Sequence, residues 1–423
     1  MALPRFTIPS RTRSESLLIA AVLGCSTATA QLPADSVRHL LDFSSEKATI
    51  YVDPILDLSA AVGVEVWRNV RGAAFSASWD GHWTAVGSLE EHQSIRVLEE
   101  SWWTAQNGSL PGWGRAKLGR NLTLNSPDTL YVDVARAMGA LRWHENPTTH
   151  LGWSVQFGML PFAWGVSDRA STLGLRSTSA PAPELRVAHA LENRILWAGL
   201  SKWVLDTRAP LGATSESLFE WTHSAMTGAD ISLSDRLLLR HVLGITWTAH
   251  PERASDRWAS RSGWAGAGFK WSGSTLTAGA EAAHEIMDWS GAGRSWRAGA
   301  WRWLAEARAQ LGPVRLGGTV FVREGSSAEW AADPAAFSLL THAGLPLGQI
   351  WSNFVEFSAG FTSHSNKFSV DFYQQYTDWG HLTKTELRYH VWDDLPVLAQ
   401  AGLRWSPAVK WTVFEIGLSL NHL

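Results

Sequence analysis

The sequence has almost no cysteine, no long hydrophobic run after its first 30 residues, and no excess of basic residues. Its single cysteine is Cys25, so the chain beyond it cannot form disulfides or use cysteine as a metal ligand or nucleophile. Without an apolar stretch of about 18 residues, it has no candidate transmembrane helix. A formal net charge of −3 argues against nucleic acid as a partner.

The N-terminal region has the pattern of an export signal. Arginines precede the apolar run at residues 17–25, and the small-x-small triplet Ala28-Thr29-Ala30 follows it. Residues 1–30 are therefore predicted to be a secretory signal peptide, cleaved before Gln31. The stretch Val22-Leu23-Gly24-Cys25 also loosely resembles a lipoprotein signal, in which Cys25 would be acylated.

Tryptophan is unusually abundant, with 26 Trp against 5 Tyr. An indole suits an environment that is apolar at one end and wet at the other, such as a membrane interface or a carbohydrate-binding face. Composition alone leaves both possibilities open.

Alternation of apolar and polar residues is the dominant pattern of the chain. In the stretch YVDPILDLSAAVGVEV, residues 51–66, the even positions are apolar, while Asp53, Asp57 and Glu65 share the odd positions. Similar segments recur to the C-terminus and are separated by turn signals such as Asp80-Gly81 and Gly312-Pro313. This period of two predicts β-strands of roughly ten residues.

The fold predicted from this pattern is all-β, a closed antiparallel transmembrane β-barrel of about 16–18 strands over residues 48–423. An open sheet edge is costly in lipid, so the strand beginning near Ala48 should pair with the one ending near Leu420. Residues 31–47 would form a periplasmic or lumenal segment, with a short helix within 34–46. Residues 89–128, 162–183 and 325–348 break the alternation and are predicted to be long extracellular loops. A soluble β-sandwich would also alternate and is the competing fold.

The acidic residues of the first strand would face the barrel lumen. We expect Asp53, Asp57 and Glu65 to be solvated or paired with arginine there, with ligand binding as the alternative. Candidate lumenal partners on other strands are Arg236, Arg240, Arg315, Arg323 and Arg388.

The tryptophans divide by position. Those near strand ends, Trp79, Trp83, Trp153, Trp247 and Trp405, are expected to form aromatic girdles at the membrane interfaces. Those in non-alternating segments, Trp102, Trp103, Trp113 and Trp164, could stack on a sugar ring or simply pack within loops.

One segment resembles a known family. Residues 162–187, FAWGVSDRASTLGLRSTSAPAPELRV, contain Trp164-Gly165, Leu173-x-Leu175 and Pro181-x-Pro183. This order is similar to a segment of Wzi-type capsule-assembly barrels, although Val166-Ser167 stands where that family would have Pro-Gly. The resemblance implies an outer-membrane barrel of about 18 strands that retains capsular polysaccharide at the cell surface. Arg169 and Arg176, within the same stretch, join the candidate ligand-binding residues.

The function predicted from sequence is therefore binding of surface polysaccharide by a barrel in the outer membrane of a Gram-negative cell. The alternative is a porin-like channel for small solutes. We expect outer-membrane lipid, surface polysaccharide and the outer-membrane insertion machinery as partners, with no cofactor and no metal. A barrel hydrolase ranks last, because no nucleophile and base can be paired from sequence, and the chain is predicted not to be an enzyme.

Overall fold

The computed structural model describes the chain in segments. They are residues 39–62, 66–97, 109–110, 113–115, 117–120, 129–146, 148–149, 151–160, 164–166, 182–207, 219–248, 261–288, 301–323, 353–363, 367–377, 380–390, 397–406 and 411–420. In these segments the regular structure is entirely β, and no helix there has the length and apolarity to cross a membrane.

Among the described residues, twenty strands form one antiparallel sheet, and two short strands form a separate ribbon. In chain order the strands are β1 (Leu41–Ser44), β2 (Ala48–Ala61), β3 (Trp67–Trp79), β4 (Trp83–Val97), β5 (Ser109–Leu110), β6 (Gly114–Arg115), β7 (Lys117–Arg120), β8 (Thr129–His144), β9 (Gly152–Leu160), β10 (Ala182–Leu191), β11 (Arg194–Thr207), β12 (Phe219–Ser234), β13 (Leu237–Thr248), β14 (Arg261–Ser272), β15 (Leu276–Asp288), β16 (Trp301–Leu311), β17 (Val314–Arg323), β18 (Phe354–Thr362), β19 (Phe368–Thr377), β20 (Gly380–His390), β21 (Val397–Ser406) and β22 (Trp411–Leu420). Leaving aside the partial strands β1 and β7, eighteen strands close into a barrel, which confirms the predicted fold class.

The barrel closes between its first and last full strands, as predicted. Strand β2 pairs with β22 from Leu56 opposite Leu420 to Ala61 opposite Glu415. Toward the N-terminal end of β2, β1 replaces β22 as its pairing partner, with Leu41 opposite Val52 and Ser44 opposite Thr49. Strands β1 and β22 therefore share the edge of β2, and closure removes most of the edge that lipid would leave unpaired.

The predicted helix within residues 34–46 is not found where the structure describes it. Residues 41–44 form β1, and residues 34–38 lie outside the described residues. The physical reason is that Leu41 and Phe43 continue the outward apolar row beside Val52 and Ile50, and the backbone of the segment pairs with β2.

The two faces of the sheet differ in chemistry as a transmembrane barrel requires. Along β9, Phe157 is 66% exposed on the outside, whereas its neighbour Gln156 is 5% exposed on the inside. Along β16, Trp301 and Trp303 are exposed, whereas Arg302 between them is buried. Large apolar side chains thus cover the outer surface, and the buried charges point inward.

At one end of the barrel every strand connection has seven residues or fewer, whereas six of the connections at the other end have eleven residues or more. At the short-turn end, Asp80 and Gly81 have φ values of 51° and 67°, the left-handed conformation that the Asp-Gly dipeptide predicted. The rings of Trp79 and Trp83 stack at this turn with centroids 5.9 Å apart. Trp153 lies exposed at the same end, in agreement with an aromatic girdle there.

Two predicted loop boundaries are wrong. Strand β4 continues to Val97, so residues 89–97 belong to the wall, and β10 begins at Ala182. The alternation stops early because Arg71 and Glu91 form an ion pair, 2.7 Å apart, on the outward face of β3 and β4. Because polar residues lie on both faces of this part of β4, a pattern based on hydrophobicity did not predict it as a strand.

Candidate functional site

A short part of the long connection between β9 and β10 lies inside the barrel. We call it the 164–166 segment, Trp164-Gly165-Val166. Arg240 of β13 donates from Nη1 to the Gly165 carbonyl oxygen at 2.6 Å, and the Val166 amide donates to Glu281 Oε2 of β15 at 2.7 Å. Because Glu281 lies near the middle of β15, the segment is fixed at about the mid-height of the lumen.

Glycines on the wall make room for the tip of this segment. A β-carbon at Gly268 would lie 3.0 Å from Val166 Cγ1, and one at Gly279 would lie 3.1 Å from Val166 Cγ2. The Val166 side chain therefore occupies the space that side chains at these two positions would fill. Trp164 is 3% exposed and belongs to an apolar cluster with Trp197 and Trp264.

A second connection, between β4 and β8, also covers part of the inner wall. The ring of Trp113 lies edge-on to His92, with centroids 4.9 Å apart, and the Arg136 guanidinium lies 4.3 Å above the indole. Leu110 packs in a cluster with Val132 on the same wall. Residues from two connections thus narrow the lumen from the side formed by β4 to β17.

Ion pairs line the inner wall. Their N–O distances run from 2.5 to 3.0 Å, and the pairs include Arg68–Asp57, Arg136–Glu90, Arg186–Glu184, Arg240–Asp230, Arg308–Glu306, Arg315–Asp371, Lys384–Glu386 and Arg388–Glu386. Three of these pairs have the pattern Glu-x-Arg within one strand, where residues two apart share a face. This signal was present in the sequence and was missed.

The ion pairs differ in how far they reach into water. Under the two covering connections, the side chains of Arg240 and Arg186 are only 12% and 11% exposed. On the uncovered wall, Arg315 and Arg388 are 45% and 43% exposed. We call this part of the wall, the halves of β16 and β17 nearest their connecting turn together with β18 to β20, the open strip. Solvent therefore reaches the lumen along this side.

Within the open strip the cations project further than the acids. The carboxylates of Asp371 and Glu386 are each 12% exposed, against 45% for Arg315 and 43% for Arg388. Arg315 reaches Asp371 across the intervening strand β18, where Gly360 has no side chain to obstruct it: a β-carbon there would lie 3.1 Å from Arg315 Nε. The acids thus lie against the wall, and positive charge faces the water.

The acids of the first strand are bound by neighbouring groups. Asp57 accepts two bonds from Arg68 Nη2, at 3.0 and 2.9 Å, and one from Gln400 at 3.3 Å. Since these residues come from β2, β3 and β21, Asp57 ties the wall together across β22 at the closure. This is the arginine-paired outcome that the sequence predicted.

Asp53 has a different partner from the one expected. His39 Nδ1 lies 2.7 Å from Asp53 Oδ2, and the Leu40 amide donates to Oδ1 at 3.0 Å. The carboxylate holds the N-terminal segment against the wall just before β1 begins. It is 6% exposed, so it is a poor candidate for contact with a solute.

The other predicted site residues divide between the lumen and the undescribed parts of the chain. Trp113 and Trp164 pack inside the barrel, as described above. Arg240, Arg315 and Arg388 lie on the lumen wall, but they pair with Asp230, Asp371 and Glu386 and not with Asp53 or Asp57, whose partners are His39 and Arg68. The side chain of Arg323 lies outside the described part of the structure. Arg236 is exposed in the turn between β12 and β13, so its assignment to the lumen wall is wrong. The candidates that fall outside the described residues are Glu65, Trp102, Trp103, Arg169 and Arg176.

In the described part of the chain, no three His, Cys, Asp or Glu side chains are grouped so that they could hold a metal ion. The inner wall offers instead paired charges, hydroxyl groups and indoles. These can bind and orient a polar solute through hydrogen bonds and electrostatic attraction.

Solved structures of other proteins align with this chain over most of its length. No protein-family model matches the chain, and no curated protein matches it. Pseudomonas aeruginosa OccK5 (OpdH) is 11% identical, with 88% of this chain and 97% of that chain covered and a TM-score of 0.48. P. aeruginosa OccK2 (OpdF), solved in complex with glucuronate, is 12% identical over 89% and 98%, with a TM-score of 0.47. Acinetobacter baumannii OccAB4 is 9% identical over 89% and 97%, with a TM-score of 0.47.

Proposed function

We propose that the protein is an outer-membrane channel that passes small polar solutes and favours anions. The observation that carries the proposal is the open strip, where arginine and lysine side chains reach the lumen water while their carboxylate partners stay against the wall. The nearest charges dominate the potential that a solute meets, so the strip attracts anions.

The height of these charges along the barrel fits a solute path. Arg315 lies one residue from the short-turn end of β17, and Lys384 lies near the middle of β20. Arg68, which lies outside the open strip on β3 beyond the closure of the barrel, is at the opposite end, one residue into its strand. A solute moving along the open wall therefore meets positive charge at several levels, while the 164–166 segment limits its size. Outer-membrane barrels have short periplasmic turns, which places the short-turn end in the periplasm.

The polysaccharide-binding hypothesis receives no comparable support. Trp164 is 3% exposed within an apolar cluster, so its ring has no free face for a sugar in this conformation. Trp113 already has His92 and Arg136 against it. The relation to capsule-assembly barrels stays a prediction, and as a channel the protein would act without catalysis.

The test is the ion selectivity of the purified protein in planar bilayers under a potassium chloride gradient. We expect a chloride preference that the Arg315→Gln, Lys384→Gln, Arg388→Gln triple variant reduces or reverses. The matched control is Arg71→Gln, since Arg71 pairs with Glu91 on the outer face and should leave selectivity unchanged. A native protein without conductance, or a triple variant with native selectivity and a folded barrel, would contradict the proposal.

A further inference from the structure

The outer face of the wall has an apolar depression over strands β14 to β16. Four alanines form its floor and lie opposite one another in the register, Ala267 with Ala282 and Ala280 with Ala305. We call this depression, which has a volume of about 470 Å³, the alanine trough. Because each of these side chains ends at its β-carbon, the outer surface is lower there than around it.

Large side chains stand on both sides of the alanine trough. Leu239 of β13 and Phe269 of β14 form one rim, and Trp303 of β16 and Val322 of β17 form the other. Phe269 is 44% exposed and Trp303 is 50% exposed, so both rims project beyond the floor. The rims hold the flat wall of a second barrel away from the floor, whereas a flexible hydrocarbon chain fits between them and gains van der Waals contacts on three sides.

The alanine trough lies level with the hydrocarbon of the membrane and begins near the short-turn end of the barrel. Leu239 is two residues from that end of β13, and Val322 is eight residues from that end of β17. A strand tilted by about 40° rises about 2.5 Å per residue, so the trough spans from about 5 to about 20 Å above the short-turn end. Because short turns are periplasmic, the trough faces the acyl chains of the periplasmic leaflet.

A polar side chain without a partner lies beside the floor of the trough. His241 of β13 is opposite Ala267, is exposed on the outer face, and has no hydrogen bond, ion pair or ring contact with any described residue. By contrast, the rings of His189 and His284, which also face outward, each lie 4.6 Å from a tryptophan ring. An imidazole that meets only hydrocarbon loses its hydrogen bonds at a cost in free energy. A ligand that brings an oxygen atom to His241 removes that cost.

We propose that the alanine trough binds one acyl chain of a phospholipid from the periplasmic leaflet, with His241 donating a hydrogen bond to an ester oxygen of the same lipid. The trough is continuous with the lipid-facing surface of the barrel, so this occupant is already present around it. If a methylene group takes about the 30 Å³ of a water molecule, the trough holds about 15 of them, which is most of one chain. This site lies outside the lumen and goes beyond the proposed channel function.

The test is native mass spectrometry of the purified full chain with added 1-palmitoyl-2-oleoyl phosphatidylethanolamine. The comparison lipid is dihexanoyl phosphatidylethanolamine, which has the same headgroup but chains too short to fill the trough. We expect the native protein to retain the long-chain lipid and to lose the short-chain one. The Ala280→Leu, Ala305→Leu double variant fills the floor and should retain at least about tenfold less lipid. His241→Leu should retain about three- to tenfold less, because one hydrogen bond is removed. The matched control is Ala399→Leu, Ala401→Leu on the outer face of β21.

The outcomes separate this site from the channel proposal. Native lipid retention in the filled double variant or in His241→Leu, or equal retention of the two lipids by the native protein, overturns the proposal. A dimer that forms with the native chain and not with the filled variant also overturns it, because a second copy would then cover the trough. Loss of lipid from the filled variant, with a native circular dichroism spectrum and lipid retained by the control, supports the site whatever the conductance and ion selectivity of the preparation are.

Discussion

Replacing Gly268 with leucine should release the 164–166 segment from the lumen wall. A β-carbon at this position would already lie 3.0 Å from Val166 Cγ1 and 3.0 Å from the Ala280 carbonyl oxygen. The rest of a leucine side chain then has no space unless Val166 leaves. Gly268 lies opposite Arg240 in the register of β13 and β14, so a leucine there also enters the space beside the side chain that holds Gly165.

The expected size of the effect follows from what the segment loses. It gives up two hydrogen bonds to charged side chains and the burial of Val166, which is 4% exposed. These contributions together are on the order of 5 kcal/mol. Since about 1.4 kcal/mol is a tenfold change in population, even a third of that loss raises the released population of the segment by at least about tenfold.

The assay is chemical labelling combined with conductance. Val166→Cys is introduced in a Cys25→Ser background, where it is the only cysteine. A water-soluble maleimide should react slowly with it in the native wall and at least tenfold faster with Gly268→Leu present, and single-channel conductance should rise. Gly402→Leu is the control, because a β-carbon there meets its nearest atom at an ordinary 3.6 Å. Unchanged labelling and conductance in Gly268→Leu would refute the reasoning.

Three further outcomes follow from the structure. Asp371→Asn should raise the chloride preference, as measured by the reversal potential, because Arg315 keeps its charge in the lumen water without the acid that offsets it; an unchanged potential would contradict the open-strip assignment. Asp53→Ala should loosen β1 and lower the thermal unfolding temperature in detergent, whereas an unaltered temperature would show that the N-terminal contact is dispensable. Gly81→Val should cost about 1–2 kcal/mol in urea unfolding, because φ is positive there; a stability equal to native would argue against the assigned turn.

Alternation predicted the wall well, because each strand has one lipid face and one lumen face. The pairing of β2 with β22 followed from the need to close the edge, and the Asp80-Gly81 turn followed from local conformational preference. The pattern failed where outward residues were polar, as at Arg71 and Glu91. It also failed at β1, whose strand conformation depends on contact with β2 rather than on its own sequence.

The interior was far less predictable. The spacing between Val166 and Glu281 along the chain is 115 residues, and nothing local in either stretch pairs the two. The same holds for Asp57 and Gln400, which meet only because the barrel closes. By contrast, the Glu-x-Arg pairs of β10, β16 and β20 required only a count of two along a strand, so sequence alone could have placed them on one face.

The most direct test of the account is whether the two faces of one strand meet different solvents. On β19, cysteines at Ser369 and Tyr373 should react with a water-soluble maleimide in intact membranes, whereas cysteines at Val370 and Phe372 should react only with a lipid-soluble one. Reaction of all four positions with the water-soluble reagent, or the reverse preference, would contradict a water-filled lumen enclosed by a lipid-facing wall.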